Sequence, residues 1–104
     1  RNAYICTGSQ VISQLSEIKA DLCLLGANAL SVKEGATEYD WEIAQVKKAL
    51  IKSAAKSAIL CLSEKLGAAQ KMQICTLSSI DYLITELKST DKRLVKYSRG
   101  AKVL

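Results

Sequence analysis

Lys65 stands just beyond a short apolar run, in the stretch Ser63-Glu64-Lys65-Leu66-Gly67. A lysine ammonium is a compact point charge that suits phosphate. A second polar stretch, Gly26-Ala27-Asn28, follows another apolar run. Small residues there let a ligand approach the backbone. Asn28 both donates and accepts hydrogen bonds and tolerates the left-handed conformation of a bend. Turn chemistry alone accounts for the same residues. Asp21 opens that apolar run, where a carboxylate either caps neighbouring backbone or faces a polar site. Gly35 serves a turn further along the same bend. Glu38 reads as a partner of a helix dipole. Glu42 and Lys47 are five residues apart and so do not share a helix face; both read as solvated. The chemistry these residues support is non-covalent binding of a small anion near Lys65.

Several other chemistries are excluded. The 104 residues include no histidine, which removes Ser-His and Cys-His catalysis within this chain and argues against a zinc site. Cys6, Cys23, Cys61 and Cys75 form no C-x-x-C pair, and the last three lie inside apolar runs. They read as reduced core thiols. No glycine-rich loop of the P-loop or dinucleotide type is present, so no cofactor is expected. No tight acid/base pair is present either.

Apolar residues make up 49% of the sequence, enough for a core and too many for disorder. No apolar run approaches the ~18 residues a bilayer requires, and the first ten residues lack the pattern of a signal peptide. A cytoplasmic protein without a membrane partner is expected. The net charge is +5, and many of the cations are Lys47, Lys48, Lys52 and Lys56 and those of the stretch KSTDKRLVKYSRGAK. With no aromatic stacking platform and no helix-turn-helix pattern, solvated helix faces are the expected explanation.

Alternating elements must position these residues. Residues 3–6 read as a short strand. Val11, Ile12, Leu15 and Ile18 fall at helical spacing within 9–19. Residues 21–26, DLCLLG, read as a strand ending at Gly26. A long helix is predicted from near Tyr39, with Thr37 and Asp40 as a capping pair and Ile43, Val46, Leu50 and Ala54 as its apolar stripe. SAILCL at 57–62 reads as a central strand buried on both faces. Residues 63–72 read as a loop with room for a helical turn, 73–77 and 82–85 as strands, and the stretch from Thr90 to Gly100 as a helix. AKVL would be a last strand. Strands alternating with amphipathic helices predict an α/β fold with a mostly parallel sheet, flanked by helices in a Rossmann-like way. In such sheets ligands bind beyond the carboxyl ends of the strands, so loops 26–40 and 63–71 matter most.

Three stretches taken together, DLCLLGANALSVKEGATEYDWEIAQVKKALIKSA, AILCLSEKLG and ICTLSSIDYLITE, resemble the C-terminal sensor domain of DeoR-family bacterial transcriptional repressors. Asp21, Gly26, Gly35 and Lys47 match the family pattern, SEKLG stands for its Ser-Lys-Phe-Gly, and SIDYLITE matches its Ile-Asp-x-x-Ile-Thr-Asp stretch. The resemblance covers roughly residues 20–87. It implies a fold related to ribose-5-phosphate isomerase and the coenzyme A transferases. It also implies binding of a phosphorylated sugar or related metabolite, which weakens the hold of a separate N-terminal winged helix-turn-helix on its operator. Carried onto this chain, Asp21, Asn28 and Lys65 would line the sugar end of the site, and Gly26 and Gly35 would shape the loop. The chain departs from the pattern at Leu62, where the family often has Asp, at Leu66 in place of Phe, and at Ala29 in place of the second loop glycine.

The reading is therefore of one domain over 1–104, the C-terminal part of an effector sensor. Its upstream phosphate loop and DNA-binding domain lie outside the chain, so that operator DNA is reached only through that separate domain. Self-association is expected, because regulators of paired half-sites are oligomers. Two other classes are open at this point. An isomerase would need a carboxylate base, for which Asp21 and Glu38 are the candidates. A structural oligomerisation domain would need no pocket.

Overall fold

The computed structural model describes residues 19–104; the expected strand at 3–6, the helix at 9–18 and Cys6 lie outside the described residues. Among the described residues, seven strands and one α-helix follow in chain order: β1 (Ala20–Gly26), β2 (Ala29–Ser31), β3 (Gly35–Glu38), α1 (Trp41–Ser53), β4 (Ala54–Leu60), β5 (Met72–Cys75), β6 (Tyr82–Ile84) and β7 (Lys102–Val103). Short 3-10 turns occupy Ser63–Lys65, Leu77–Ser79, Lys92–Leu94 and Tyr97–Arg99.

The strands form two sheets. β1, β4, β6 and β7 make a four-stranded sheet in that order, and every pairing is parallel. This is the expected α/β fold. A second sheet, β2-β3-β5, is antiparallel. The predicted loop after β1 is thus a hairpin, and the strand predicted at 73–77 pairs with that hairpin rather than with the main sheet. Chain order alone does not distinguish the two partners: a four-residue strand can join any open edge, and contacts distant in sequence decide which.

α1 begins where Asp40 is extended and its carboxylate accepts the Ile43 amide hydrogen at 3.1 Å. Asp40 is therefore the N-cap itself. The expected capping pair with Thr37 does not form, because Thr37 is buried in β3. Its hydroxyl donates to the Ala29 carbonyl and accepts from the Gln70 amide at 2.8 Å. Glu42 near the start and Lys52 near the end suit the helix dipole. Ala44 and Val46 are buried. The helix passes directly into β4 at Ala54, without a loop.

β4 is less enclosed than expected. Ser57, Ala58 and Ile59 are buried, but Leu60 and the following Leu62 are exposed, as are Leu22 and Leu24 on β1. The core lies on the other face, where Ile59, Cys61 and Leu83 meet Leu30, Ile74, Leu77, Ile80 and Tyr97. Tyr97 is 1% exposed, and its hydroxyl donates to the Leu30 carbonyl at 3.2 Å. The helix predicted over 90–100 is replaced by two 3-10 turns, the first capped by Asp91 rather than Thr90. Asp91 accepts from the Arg93 amide and binds its guanidinium through both carboxylate oxygens. These short-range bonds favour a tight turn over a longer helix.

Candidate functional site at the carboxyl edge of the parallel sheet

β1, β4 and β6 end side by side. The Ala27 amide donates to Leu60 at 3.0 Å, and the Cys61 amide donates to Ile84 at 2.9 Å. The parallel pairing thus extends one residue past the strands and fixes where the following loops start. The loop after β4 makes a 3-10 turn over Ser63–Lys65, after which Leu66 forms a parallel bridge with Leu30 and the Gly67 amide donates to Leu30 at 2.7 Å. Lys65 and Asn28 stand one and two residues before that bridge on neighbouring segments. Lys65 is exposed and Asn28 is half-buried. The fold therefore brings Gly26, Asn28 and Lys65 to one edge.

The other two candidates sit elsewhere. Asp21 is exposed at the amino end of β1, five residues before Gly26 and so roughly 16 Å from it along an extended strand. The parallel sheet sends its two ends to opposite edges, so Asp21 does not share the site. Gly35 lies at the far end of the β2–β3 hairpin, with φ of 74°. A Cβ there would fall 2.1 Å from the Cys75 carbonyl oxygen. Its role is to let β3 approach β5.

Two contacts of charged side chains, one an ion pair and one a set of hydrogen bonds to a carboxylate, hold the edge together. The Lys47 ammonium crosses from α1 to the end of β1. It donates to the Gly26 carbonyl at 2.7 Å and to the Glu38 carboxylate at 2.6 Å. Glu38 is 5% exposed and also accepts the Tyr39 amide hydrogen. Lys47 looks solvated from helix spacing alone and Glu38 looks like a partner of the helix dipole, because their pairing joins α1 to β3 and follows no helical period. The match of Lys47 to the family pattern was the available signal.

The second contact is Glu86, just past β6. Its carboxylate accepts the Ser63 amide at 2.9 Å, the Ser63 hydroxyl at 2.6 Å and the Thr85 hydroxyl at 2.9 Å. It fastens the loop that carries Lys65, from a neighbouring strand end. Leu62, just before that loop, is 51% exposed. The Ser63 hydroxyl and amide, followed by that of Thr85, hold the Glu86 carboxyl at about 2, below its ordinary 4.5. A carboxyl depressed on folding adds stability that is complete above its unfolded value and is lost as pH falls through its folded value. The Glu86 contribution should be present above pH 4.5 and fade toward pH 2. Carboxyl-detected NMR titration should show this depressed midpoint, and Glu86→Gln should flatten that part of the stability profile. An ordinary midpoint would mean that the clasp does not persist in solution.

Cys23, Cys61 and Cys75 are free thiols. Burial, then the nearby Glu86 charge, pushes Cys61 up to about 11, which keeps it protonated and unreactive at neutral pH. Among the described residues no group of three or more His, Cys, Asp or Glu side chains could hold a metal. No described helix is long and apolar enough to cross a membrane.

Residues 1–87 match the family model of the DeoR C-terminal sensor domain. The chain belongs to the DeoR sensor-domain family. Similar curated proteins agree. The HTH-type transcriptional regulator GolR of Listeria innocua is 30% identical over 96% of this chain and 39% of its own length. The HTH-type transcriptional regulator GlpR of Haloferax volcanii is 31% identical over 83% of the chain and 34% of its own length. The glycerol-3-phosphate regulon repressor of Haemophilus influenzae is 26% identical over 75% of the chain and 31% of its own length. This DeoR sensor domain thus spans about two-fifths of the length of the first of these relatives, or less of the other two. Beside Leu62, Glu86 brings a carboxylate to the adjacent Ser63.

Proposed function

We propose that this DeoR sensor domain binds a small phosphorylated metabolite at the carboxyl edge of its parallel sheet. Lys65 meets the phosphate or an adjacent oxygen, Asn28 hydrogen-bonds the polar body, and Gly26 leaves room for close approach. Gly35 shapes the hairpin that backs the loop. Occupancy would change the hold of a winged helix-turn-helix elsewhere in the full-length protein on its operator. The observation that supports this reading is the Leu30–Leu66 bridge, which joins the loop carrying Lys65 to the segment that follows Asn28. The printed name of the Haemophilus influenzae relative, which refers to glycerol-3-phosphate, supports a phosphorylated ligand.

The regulatory reading is favoured over catalysis. Of the two carboxylates offered as an isomerase base, Asp21 is at the opposite edge and Glu38 is engaged by Lys47. Paired operator half-sites would also call for at least a dimer.

A thermal-shift panel of sugar phosphates, the matching free sugars and inorganic phosphate tests the proposal, since a ligand of the folded state raises the melting temperature by mass action. A phosphorylated compound should stabilise the protein. Lys65→Ala should weaken that binding about 30-fold, as expected for loss of a charged hydrogen bond of ~2 kcal/mol. Equal shifts in wild type and variant would remove Lys65 from the site. Turnover of a pentose phosphate would favour the enzyme instead.

A further inference from the structure

The charge of the chain is not evenly spread. Six of the fifteen Lys and Arg residues lie within 88–102, against one of the ten Asp and Glu. That leaves nine of each elsewhere, so this single segment accounts for the whole net charge of +5. It runs through the two 3-10 turns and into the edge strand β7. Val95, Lys96 and Gly100, which cap the turns, have right-handed helical dihedrals, so the tight winding continues from 92 to 100.

In a 3-10 ribbon residues three apart stand above one another, at intervals of about 6 Å. Leu94 and Tyr97 form one such row and are buried. Arg93, Lys96 and Arg99 form the next row, and Lys102 follows at the same spacing at the start of β7; all four are exposed. Asp91 pairs with Arg93 at 2.9 Å, and Lys96, Arg99 and Lys102 are in no ion pair among the described residues. A depression of about 530 Å³ opens beside them, bordered by Arg99, Lys102, Ser89 and Ser98. Its border carries two cations and two hydroxyls and no carboxylate.

We propose that the row Lys96, Arg99 and Lys102 is a contact for the phosphate backbone of duplex DNA, independent of base sequence. A line of cations at regular intervals, longer than any one small anion, fits a repeating polyanion. The hydroxyl-lined depression gives one phosphate a seat. A duplex fits better than a single strand because the ring that a base would stack on is withdrawn: Tyr97 is 1% exposed. No recognition helix stands here to read base edges, so the contact positions and does not specify. The similarity to HTH-type transcriptional regulators places such a domain in a protein that works on DNA. This inference does not depend on the ligand reading above.

Three phosphate contacts imply a slope of log affinity against log salt near about −2.7, or about a 40-fold loss of affinity for a fourfold rise in salt. Fluorescence anisotropy of the chain with a short labelled duplex of mixed sequence should show it. The triple variant Lys96→Ala, Arg99→Ala, Lys102→Ala should lose most of that slope. A variant with equal charge removed elsewhere (Lys48→Ala, Lys52→Ala, Lys71→Ala) should keep it, and circular dichroism should show both folded. Absence of binding, equal loss in both variants, or displacement of the duplex by inorganic phosphate at constant ionic strength would each overturn the proposal. The last result would make the depression a small-anion site.

Discussion

Gly35→Ala should destabilise the fold by about 4 kcal/mol, near the upper end of what single substitutions do. Two penalties combine. The backbone there has φ of 74°, which costs an L-residue about 1–2 kcal/mol. The new Cβ would also lie 2.1 Å from the Cys75 carbonyl oxygen and 2.8 Å from the Thr76 Cα. Both are backbone atoms, so no rotamer change relieves the overlap. β3 must part from β5, or the hairpin must turn differently. Gly67→Ala is the control, because Gly67 has φ of 87° with nothing within 4 Å. It should cost only the conformational part, about 1–2 kcal/mol. Urea unfolding of the two variants measures the difference. Equal losses would show that the close β3–β5 approach does not constrain Gly35.

Lys47→Ala should cost about 3 kcal/mol, at the lower end of the range for breaking a buried ion pair. The loss arises because Glu38 stays behind, 5% exposed and stripped of its cation. Replacing both partners with apolar residues, Glu38→Leu with Lys47→Met, should cost clearly less, since no buried charge is left uncompensated. The Lys47 ammonium also holds the Gly26 carbonyl at 2.7 Å. Both variants lose that contact, so both should loosen the bend after Gly26, and the difference between them isolates the uncompensated Glu38 charge. Denaturant unfolding of both variants is the measurement. A Lys47→Ala loss below that of the double replacement would mean the pair adds nothing to the fold.

Local patterns in the sequence were sufficient for much of this protein. The apolar runs at 21–26 and 82–85 fell on β1 and β6, and that at 57–62 overlapped β4, which begins earlier, at Ala54, a residue expected on the helix stripe, and ends at Leu60; a parallel strand needs little beyond length and apolar content. The charge order of α1 and its start near Asp40 followed from helix-end chemistry that acts within four residues. Gly26, Asn28 and Lys65 were legible as candidates because ligands of parallel sheets gather beyond the strand ends, and the motif order pointed to the DeoR family.

Tertiary structure decided the rest. Whether Met72–Cys75 joined the parallel sheet or the hairpin depended on the available partner edge, which lies more than thirty residues upstream. Thr37 had the right type and spacing for a cap, yet β3 buried it and gave the cap to Asp40 alone. Asp21 matched the family pattern, but a strand of seven residues carried it to the opposite edge from Lys65. Lys47 with Glu38, and Glu86 with Ser63, are pairings between elements. Their chemistry is ordinary and their sequence separation is arbitrary. Only the assembled fold, by bringing the strand ends and the helix within hydrogen-bonding reach of one another, determines which charges meet.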